Sequence, residues 1–362
     1  MRVLVFSAYF WPHKGGVEKY VEETAVRLIA KGHKVAIVTS LLQGTRKVES
    51  YKGIQVFRLH SWEVLKDRWS LPLPRSRRVL SGLGTYDAVI THTRFYPLSL
   101  LGAWFARKRK IPHLHIEHGT AHTGAKPFVY AINWLYDHAL GWLVLRLASK
   151  VAGISRASEL FAAHLCKKRT VLLPNAINSE FFVRVPSKKP FREKAIVFVG
   201  RLIEAKGVQD LIAATSNMTG VKAVIVGAGN YAGELRKRAH KNVLFLGEKD
   251  AGGIREALSF ADVFVNPSYA EGLPTSVLEA GSVGVPVIAT DVGGTREIIR
   301  DGQTGVLVKP RDVAGLRKAI EALLAGPNHA QALAQSLQAK VRAEFDWDAT
   351  VQKLERVLND MK

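Results

Sequence analysis

The segment Gly200-Arg201-Leu202-Ile203-Glu204-Ala205-Lys206-Gly207 follows the apolar run Ala195 to Gly200, which reads as a buried strand. Arg201 can grip two oxygens at once, and Lys206, five residues on, adds a mobile point charge. On a loop that opens a helix, the two make a site for a diphosphate. A solvated basic loop is the plainer alternative for this segment alone. The second constellation, Glu271-Gly272-Leu273-Pro274-Thr275-Ser276-Val277-Leu278-Glu279, follows a strand ending in Asn266-Pro267-Ser268. Pro274 suits the first turn of a helix, which leaves Glu271 on the preceding loop and Glu279 about a turn and a half inside. Free amides in the stretch Leu273-Pro274-Thr275-Ser276 would cap a phosphate or a sugar oxygen, and two carboxylates, as acceptors, suit hydroxyl pairs on a ribose and a hexose. Interaction with the helix dipole is the plainer role for Glu271. It does not account for Glu279.

Three further groups bear on the same chemistry. Gly15-Gly16 opens a helix after the first strand, where missing side chains let an anion approach free amides; a tight turn is the alternative. Gly227-Ala228-Gly229-Asn230-Tyr231-Ala232-Gly233, with Glu248 about 20 residues further on, imitates a dinucleotide fingerprint. Its third glycine falls one residue late, so it reads as a nucleotide-facing turn and not as a nicotinamide site. The imidazoles of His113, His115, His118 and His122 suggest a metal. However, His113 and His115 alternate on one strand face, His118 falls on the next loop, and no nearby Cys or Asp completes a familiar set. The sequence therefore predicts no metal there. The pair Asp346 and Asp348 lies in the helical tail, far in sequence from these motifs.

The elements that must carry these residues alternate between strand and helix, which implies parallel sheets. At 362 residues the chain is long enough for two domains. The pattern restarts after the polar stretch Ser187 to Lys194, so the sequence predicts an α/β protein of two Rossmann-like doubly wound domains facing a central cleft. The first would comprise residues 1–186 and the second 187–346, with a terminal helix, about 347–362, returning to the first. Open sheets of this kind bind ligands outside the carboxyl ends of their strands. One cysteine, Cys166, cannot form an internal disulfide and suits a reducing, cytoplasmic setting. Arg2 to Ser7 reads as the first strand and not as a leader. Pro127 to Ser149 is long enough to span a bilayer but carries Asn133, Asp137, His138 and Arg146, so a buried or interfacial helix is expected.

The net charge is +21, and it is unevenly placed. Residues 1–190 hold 30 Lys and Arg against 11 Asp and Glu, while residues 191–362 hold 22 against 20. That asymmetry points to an anionic partner for the first half, either a membrane surface or a nucleic acid. The clusters Arg75, Arg77, Arg78; Arg107, Lys108, Arg109, Lys110; and Lys167, Lys168, Arg169 lie beside Trp104, Phe105, Trp134 and Trp142. Cations next to embedded aromatics favour an anionic lipid surface. No nucleic-acid module is recognisable, and a peripheral association with the inner face of the cell membrane is expected.

Taken together, Gly15-Gly16, His118-Gly119, Gly200-Arg201…Lys206-Gly207, Gly227-Ala228-Gly229 and Glu271-x7-Glu279 resemble the retaining GT-B glycosyltransferases of group 1, glycosyltransferase family 4. The resemblance covers nearly the whole chain, closely in the second half and in outline in the first. It implies that Arg201 and Lys206 hold the diphosphate of a nucleotide-sugar donor. Glu279 would take the ribose hydroxyls and Glu271 the hexose hydroxyls. Gly16 would offer an amide near the phosphates, His118 would line the reacting sugar, and the base would lie near Gly229 and Gly247-Glu248-Lys249. It also implies transfer with retention, no metal and no other cofactor, and a first domain that takes an acceptor, often lipid-linked. Two alternatives stay open: a nucleotide-sugar epimerase of similar architecture, and a basic nucleic-acid-binding protein whose domains are inert scaffolds.

Overall fold

In the computed structural model, residues 1–13, 15–65, 69–122 and 127–361 are described. The chain divides into two compact units, Met1–Asn175 with Trp347–Lys362, and Ala176–Asp346. The first opens with a βαβ unit of β1 (Arg2–Phe6), α1 (Gly16–Ala30) and β2 (Lys34–Ser40). Two hairpins follow, β3 (Val48–Tyr51) with β4 (Ile54–Leu59) and β5 (Ser61–Leu65) with β6 (Trp69–Pro72). Then come α2 (Ser76–Gly82), β7 (Ala88–His92), α3 (Pro97–Arg109), β8 (His113–Glu117) and α4 (Pro127–Tyr136). A π-helical turn, Asp137–Gly141, leads into α5 (Trp142–Leu147), and β9 (Lys150–Gly153), α6 (Arg156–Cys166) and β10 (Thr170–Leu172) complete the unit.

The main sheet runs β10-β9-β8-β7-β1-β2-β4-β3 and is parallel except between β3 and β4. Its central strands are buried on both faces; β1 accordingly reads as an unbroken apolar run after Arg2, whereas β7 ends in Thr91-His92 and β8 carries His113, His115 and Glu117. The β3–β4 hairpin escapes a sequence reading because its turn, Lys52-Gly53, has positive φ at both residues (51° and 80°) without the usual Asn or Asp. Lys52 is held in that turn by the Glu22 carboxylate, 2.5 Å from its Nζ.

The C-terminal helix, Trp347–Asn359, lays Trp347, Val351, Leu354 and Leu358 into the core of this unit beside α1. Trp347 is 1% exposed and its ring stands edge-on to that of Tyr20, 5.4 Å away. Thr350 Oγ1 donates to the Pro174 carbonyl at 3.0 Å, and His33 Nε2 lies 2.9 Å from Glu355.

The second unit contains β11 (Lys194–Val199), a 3-10 turn (Glu204–Lys206), α7 (Val208–Thr215), β12 (Val221–Val226), α8 (Ala232–Arg238) and β13 (Val243–Gly247). It continues through α9 (Ala251–Ser259), β14 (Val263–Asn266), α10 (Thr275–Val283), β15 (Val287–Thr290), α11 (Thr295–Ile298), β16 (Val306–Val308), α12 (Val313–Ala325) and α13 (Pro327–Glu344). Its sheet is wholly parallel in the order β13-β12-β11-β14-β15-β16, so strand order reverses between β11 and β14. Ile196, Phe198, Leu211, Ile225, Val265 and Leu316 lie in one apolar cluster of this unit.

The units divide at Asn175 and Ala176, eleven residues before the boundary expected at 186/187. Residues of that intervening segment belong to the second unit: Phe182 is buried, Val185 donates its amide to Ser259 Oγ at 3.1 Å, and Arg255 lies over Phe181 at 4.6 Å. A polar stretch such as Ser187 to Lys194 marks exposed chain, whereas the division falls where packing changes partner.

Candidate active site

In an open sheet the ligand site lies at the carboxyl ends of the strands where their order reverses. In the second unit those are the loops after β11 and β14, and the β11 loop is hydrogen-bonded both to the β14 loop and to the loop after β12. Leu202 N–H donates to the Ala228 carbonyl at 2.8 Å, Tyr231 N–H to the Leu202 carbonyl at 2.9 Å, and Tyr269 N–H to the Ala205 carbonyl at 2.8 Å. Two glycines permit this closeness: at Gly207 (φ 65°) a Cβ would run into the Pro267 carbonyl, and at Gly229 into that of Leu202. Gly229, expected at the nucleotide base, thus has a loop-packing role that its type alone explains.

The structure brings Lys206 and Glu271 together, Nζ to Oε1 at 2.7 Å, although the sequence assigned them to different parts of a donor. Ser268 Oγ lies 2.6 Å from the same Glu271 oxygen and 2.7 Å from Asn266 Oδ1, and it has one proton to share between them. Asn266 and Ser268 were not singled out by sequence reasoning; the available signal was a pair of polar residues closing an apolar strand. Arg201 is exposed, and its guanidinium makes no ion pair among the described residues. Glu279 is the fifth residue of α10 and 5% exposed, while Leu273 and Pro274 are buried and Thr275 and Ser276 half-buried at the helix start. Glu248 is exposed beyond the end of β13. Tyr269, also not anticipated, braces the loop: its hydroxyl donates to Asp210 at 3.0 Å and accepts from Gln209 Nε2 at 2.7 Å, and Arg311 lies over its ring at 4.0 Å. Burial and the Asp210 carboxylate push that hydroxyl up to about 12.

In the first unit, His118 follows β8 and its Nε2 lies 3.1 Å from His92 Nδ1, with the Tyr20 ring edge-on at 5.2 Å. Burial pushes the imidazole down to about 4, against the pull of Glu117, so it is neutral near pH 7. A neutral ring serves as a hydrogen-bonding wall and not as a cation. His113 and His115 are core residues that share the Thr91 hydroxyl at 2.8 Å each. Burial lowers His113 to about 3. His122 instead reaches Asp137, Nδ1 to Oδ2 at 2.7 Å, which supplies the carboxylate partner the local sequence did not. No group of three or more His, Cys, Asp or Glu among the described residues is arranged to hold a metal. Gly15 caps α1 in extended conformation and Gly16 begins it, with open space where a Cβ would stand.

The basic clusters divide on inspection. Arg75, Arg77, Arg78, Arg107, Lys108 and Lys110 are exposed, as a docking role requires. Arg109 is not available in the same way: it donates to the carbonyls of Leu83, Gly84 and Leu80 at 2.7, 3.0 and 3.2 Å and lies over Phe105 at 4.6 Å, so it ties α3 to the end of α2. Lys168 likewise donates to the Arg146 and Ala148 carbonyls at 2.7 Å each, and Phe105 is buried in the core. Trp104, Phe128, Ile132, Trp134, Leu135 and Trp142 are exposed. Among the described residues no helix is long and apolar enough to cross a membrane.

Comparison with known proteins places the chain in a family. Residues 180–340 match the family model "Glycosyl transferases group 1", and residues 14–181 match "Glycosyltransferase Family 4". The putative teichuronic acid biosynthesis glycosyltransferase TuaC of Bacillus subtilis is 36% identical over 82% of this chain and 78% of its own length. The GDP-mannose-dependent alpha-(1-6)-phosphatidylinositol monomannoside mannosyltransferase of Mycobacterium tuberculosis is 26% identical over 98% of this chain and 97% of its own. Among solved structures, Anabaena HepE in complex with UDP-glucose superposes with a TM-score of 0.80 at 18% identity, over 99% of this chain and all of its own (100%). With one family model on each half and a relative matched across both, the chain belongs to the group 1 glycosyltransferases, glycosyltransferase family 4, and carries the two Rossmann-like domains of the GT-B fold.

Proposed function

We propose that the protein transfers a hexose from a nucleotide diphosphate sugar, with retention and without a metal, to a lipid or lipid-linked acceptor at an anionic membrane surface. The observation that carries the donor reading is the Lys206–Glu271 pair, its lysine on the same loop as an exposed Arg201 that makes no ion pair among the described residues, at the strand ends where sheet order reverses. A diphosphate leaves with growing negative charge. Arg201, Lys206 and the N-terminus of α10 supply fixed positive charge against it, the work a divalent ion does elsewhere. Glu271 holds Lys206 in place before the donor arrives and, in this reading, accepts from the hexose hydroxyls, while Glu279 takes the ribose. Gly15 and Gly16 offer amides to the phosphates, the base lies near Gly229 and Glu248, and neutral His118 lines the reacting sugar.

Screening purified protein against a panel of nucleotide sugars tests this, with release of nucleoside diphosphate and the anomeric form of the product followed by NMR. Turnover on one donor, retained configuration and unchanged rate in EDTA are expected. Loss of turnover in EDTA, restored by a divalent ion, would overturn the metal-free reading. An epimerised nucleotide sugar, or no turnover at all, would favour one of the two rivals.

The acceptor reading rests on the first unit. Trp104 of α3 is 51% exposed, Phe128 and Leu135 of α4 are 75% and 63% exposed, and α3 packs against both α5 and β6. Lys108 lies over Trp104 at 5.1 Å and Arg146 over Trp142 at 5.1 Å, so cations flank the exposed rings. A mannosyltransferase whose name specifies a phosphatidylinositol acceptor is among the relatives. Each cation at such a surface contributes about 1 kcal/mol to binding anionic lipid. Cosedimentation with vesicles should therefore rise with phosphatidylserine content and fall with salt. It should weaken about tenfold or more when Arg107, Lys108 and Lys110 are all neutralised, with Arg109 left intact for its structural bonds. Indifference to vesicles, with salt-sensitive binding to nucleic acid instead, would reverse the assignment.

A further inference from the structure

We propose that Glu117, clamped by Arg94 and through it by Asp137, is the positioning residue that sets the His118-Gly119 turn for transfer. The inference rests on the reading that His118 lines the reacting sugar.

Glu117 ends β8 with no exposed surface, in the middle of a sheet. A buried carboxylate is costly, and replacing buried ion pairs by apolar groups often leaves a fold as stable or more so. Stability alone does not explain this one, so its contacts should. Its Oε1 accepts the amide hydrogens of His118 at 2.9 Å and Gly119 at 2.7 Å, and faces Arg94 Nη1 at 3.0 Å. Its Oε2 accepts the Arg94 amide at 3.2 Å, with His115 Nε2 3.4 Å away. Two successive peptide planes are thus tied to one oxygen, which fixes the direction in which His118 leaves the backbone. Gly119 packs so closely that a Cβ there would stand 3.0 Å from Arg94 and 3.2 Å from Glu117.

Arg94 is itself immobilised. Its Nε and Nη2 grip Asp137 at 2.9 and 2.7 Å, and its guanidinium lies over Phe161 at 4.5 Å. Asp137 is 1% exposed and stands at the start of the π-helical turn between α4 and α5, a distortion frequent at functional sites. Gly141 closes that turn, where a Cβ would meet both Arg94 and Asp137 at 3.4 Å. Asp137 also takes His122, so both ends of the 118–122 loop are anchored to the same charge network. Burial would raise the Glu117 carboxyl, but Arg94, His115 and the Gly119 amide together hold it well below the usual carboxylate range.

Two measurements test the proposal. In the unaltered protein, amide hydrogen exchange should find His118 and Gly119 protected about 100-fold or more relative to an open loop. Exchange at open-loop rates would overturn it. In Glu117→Gln the new amide nitrogen faces donors whichever way it turns, so kcat should fall about 10- to 100-fold. Binding of nucleoside diphosphate, measured by calorimetry, should stay within about twofold because Arg201, Lys206 and Glu279, proposed for the diphosphate and ribose, lie in the other unit and Glu117 makes no contact with Gly15 or Gly16 among the described residues. Asp137→Asn, which keeps the shape, should show the same split with a smaller loss, about 3- to 10-fold. Turnover within twofold of the unaltered protein in Glu117→Gln, or nucleotide affinity lost in step with kcat, would show a merely structural group. If Glu117→Gln does not fold, exchange and Asp137→Asn decide. If the unaltered protein turns over no nucleotide sugar, the functional reading fails, and exchange alone still decides whether Glu117 holds the turn.

Discussion

Arg201→Ala is expected to lower kcat/KM for transfer by about 10²- to 10³-fold, the loss typical when one preorganised group facing a developing negative charge is removed. The melting temperature should stay within about 1 °C, since an exposed side chain with no ion pair among the described residues has little to lose on truncation. Lys206→Ala should cost at least as much activity, but with a different stability signature. Removing Lys206 takes an ion-pair partner from Glu271, whose side chain is 9% exposed, while Ser268 and Asn266 remain among its hydrogen-bond partners. A loss of about 1–3 kcal/mol in unfolding free energy should accompany the kinetic loss. Steady-state kinetics paired with urea unfolding separates the two variants. Transfer within a few-fold of wild type by folded Arg201→Ala would remove the donor-diphosphate assignment.

The second large effect lies in the first unit. Trp347→Ala should destabilise it by about 3–5 kcal/mol, the usual cost of emptying a fully buried aromatic site. Tyr20 stands against Trp347 on one side and His118 on the other, with its hydroxyl bonded to the Leu173 carbonyl at 3.1 Å. The cavity therefore opens one side chain away from the His118 turn. Trp347→Phe should cost much less, because the indole Nε1 is buried with no acceptor among the described residues and its removal relieves that penalty. Urea unfolding followed by fluorescence and by amide exchange should show Trp347→Ala loosening Met1–Asn175 while Ala176–Asp346 keeps its own transition. One unchanged transition in both variants would mean that the C-terminal helix carries little of the stability.

The architecture was largely legible in the residues. Parallel strands covered on both faces favour apolar runs, and the alternation of strand and helix expected from the residues, with strands at Arg2 to Ser7, at Ala195 to Gly200 and ending at Asn266, is the pattern of both main sheets. The exceptions are the hairpins β3–β4 and β5–β6 and the short β10. Their signals are weak because β3 lies at a sheet edge, half-exposed, and because Lys52 occupies a turn position that seldom takes lysine. The motifs at Arg201, Lys206, Glu271 and Glu279 were visible for a related reason. Arg201, Lys206 and Glu271 lie on loops after strands, whose place the strand pattern already sets, and open sheets bind ligands at such loops.

The sequence by itself therefore determined the two parallel-sheet domains, the loops that carry Arg201, Lys206 and Glu271 and the charge asymmetry of +19 against +2 between residues 1–190 and 191–362. All of these follow from local periodicity or from composition. Tertiary structure decided which charges meet. It paired Lys206 with Glu271 across 65 positions and Arg94 with Asp137 across 43, and it spent Arg109 on the end of α2 while leaving Arg107 and Lys108 exposed. A charged residue looks the same in sequence whether it faces water, a ligand or a buried partner. Only the fold sets the distances and the desolvation that distinguish these cases.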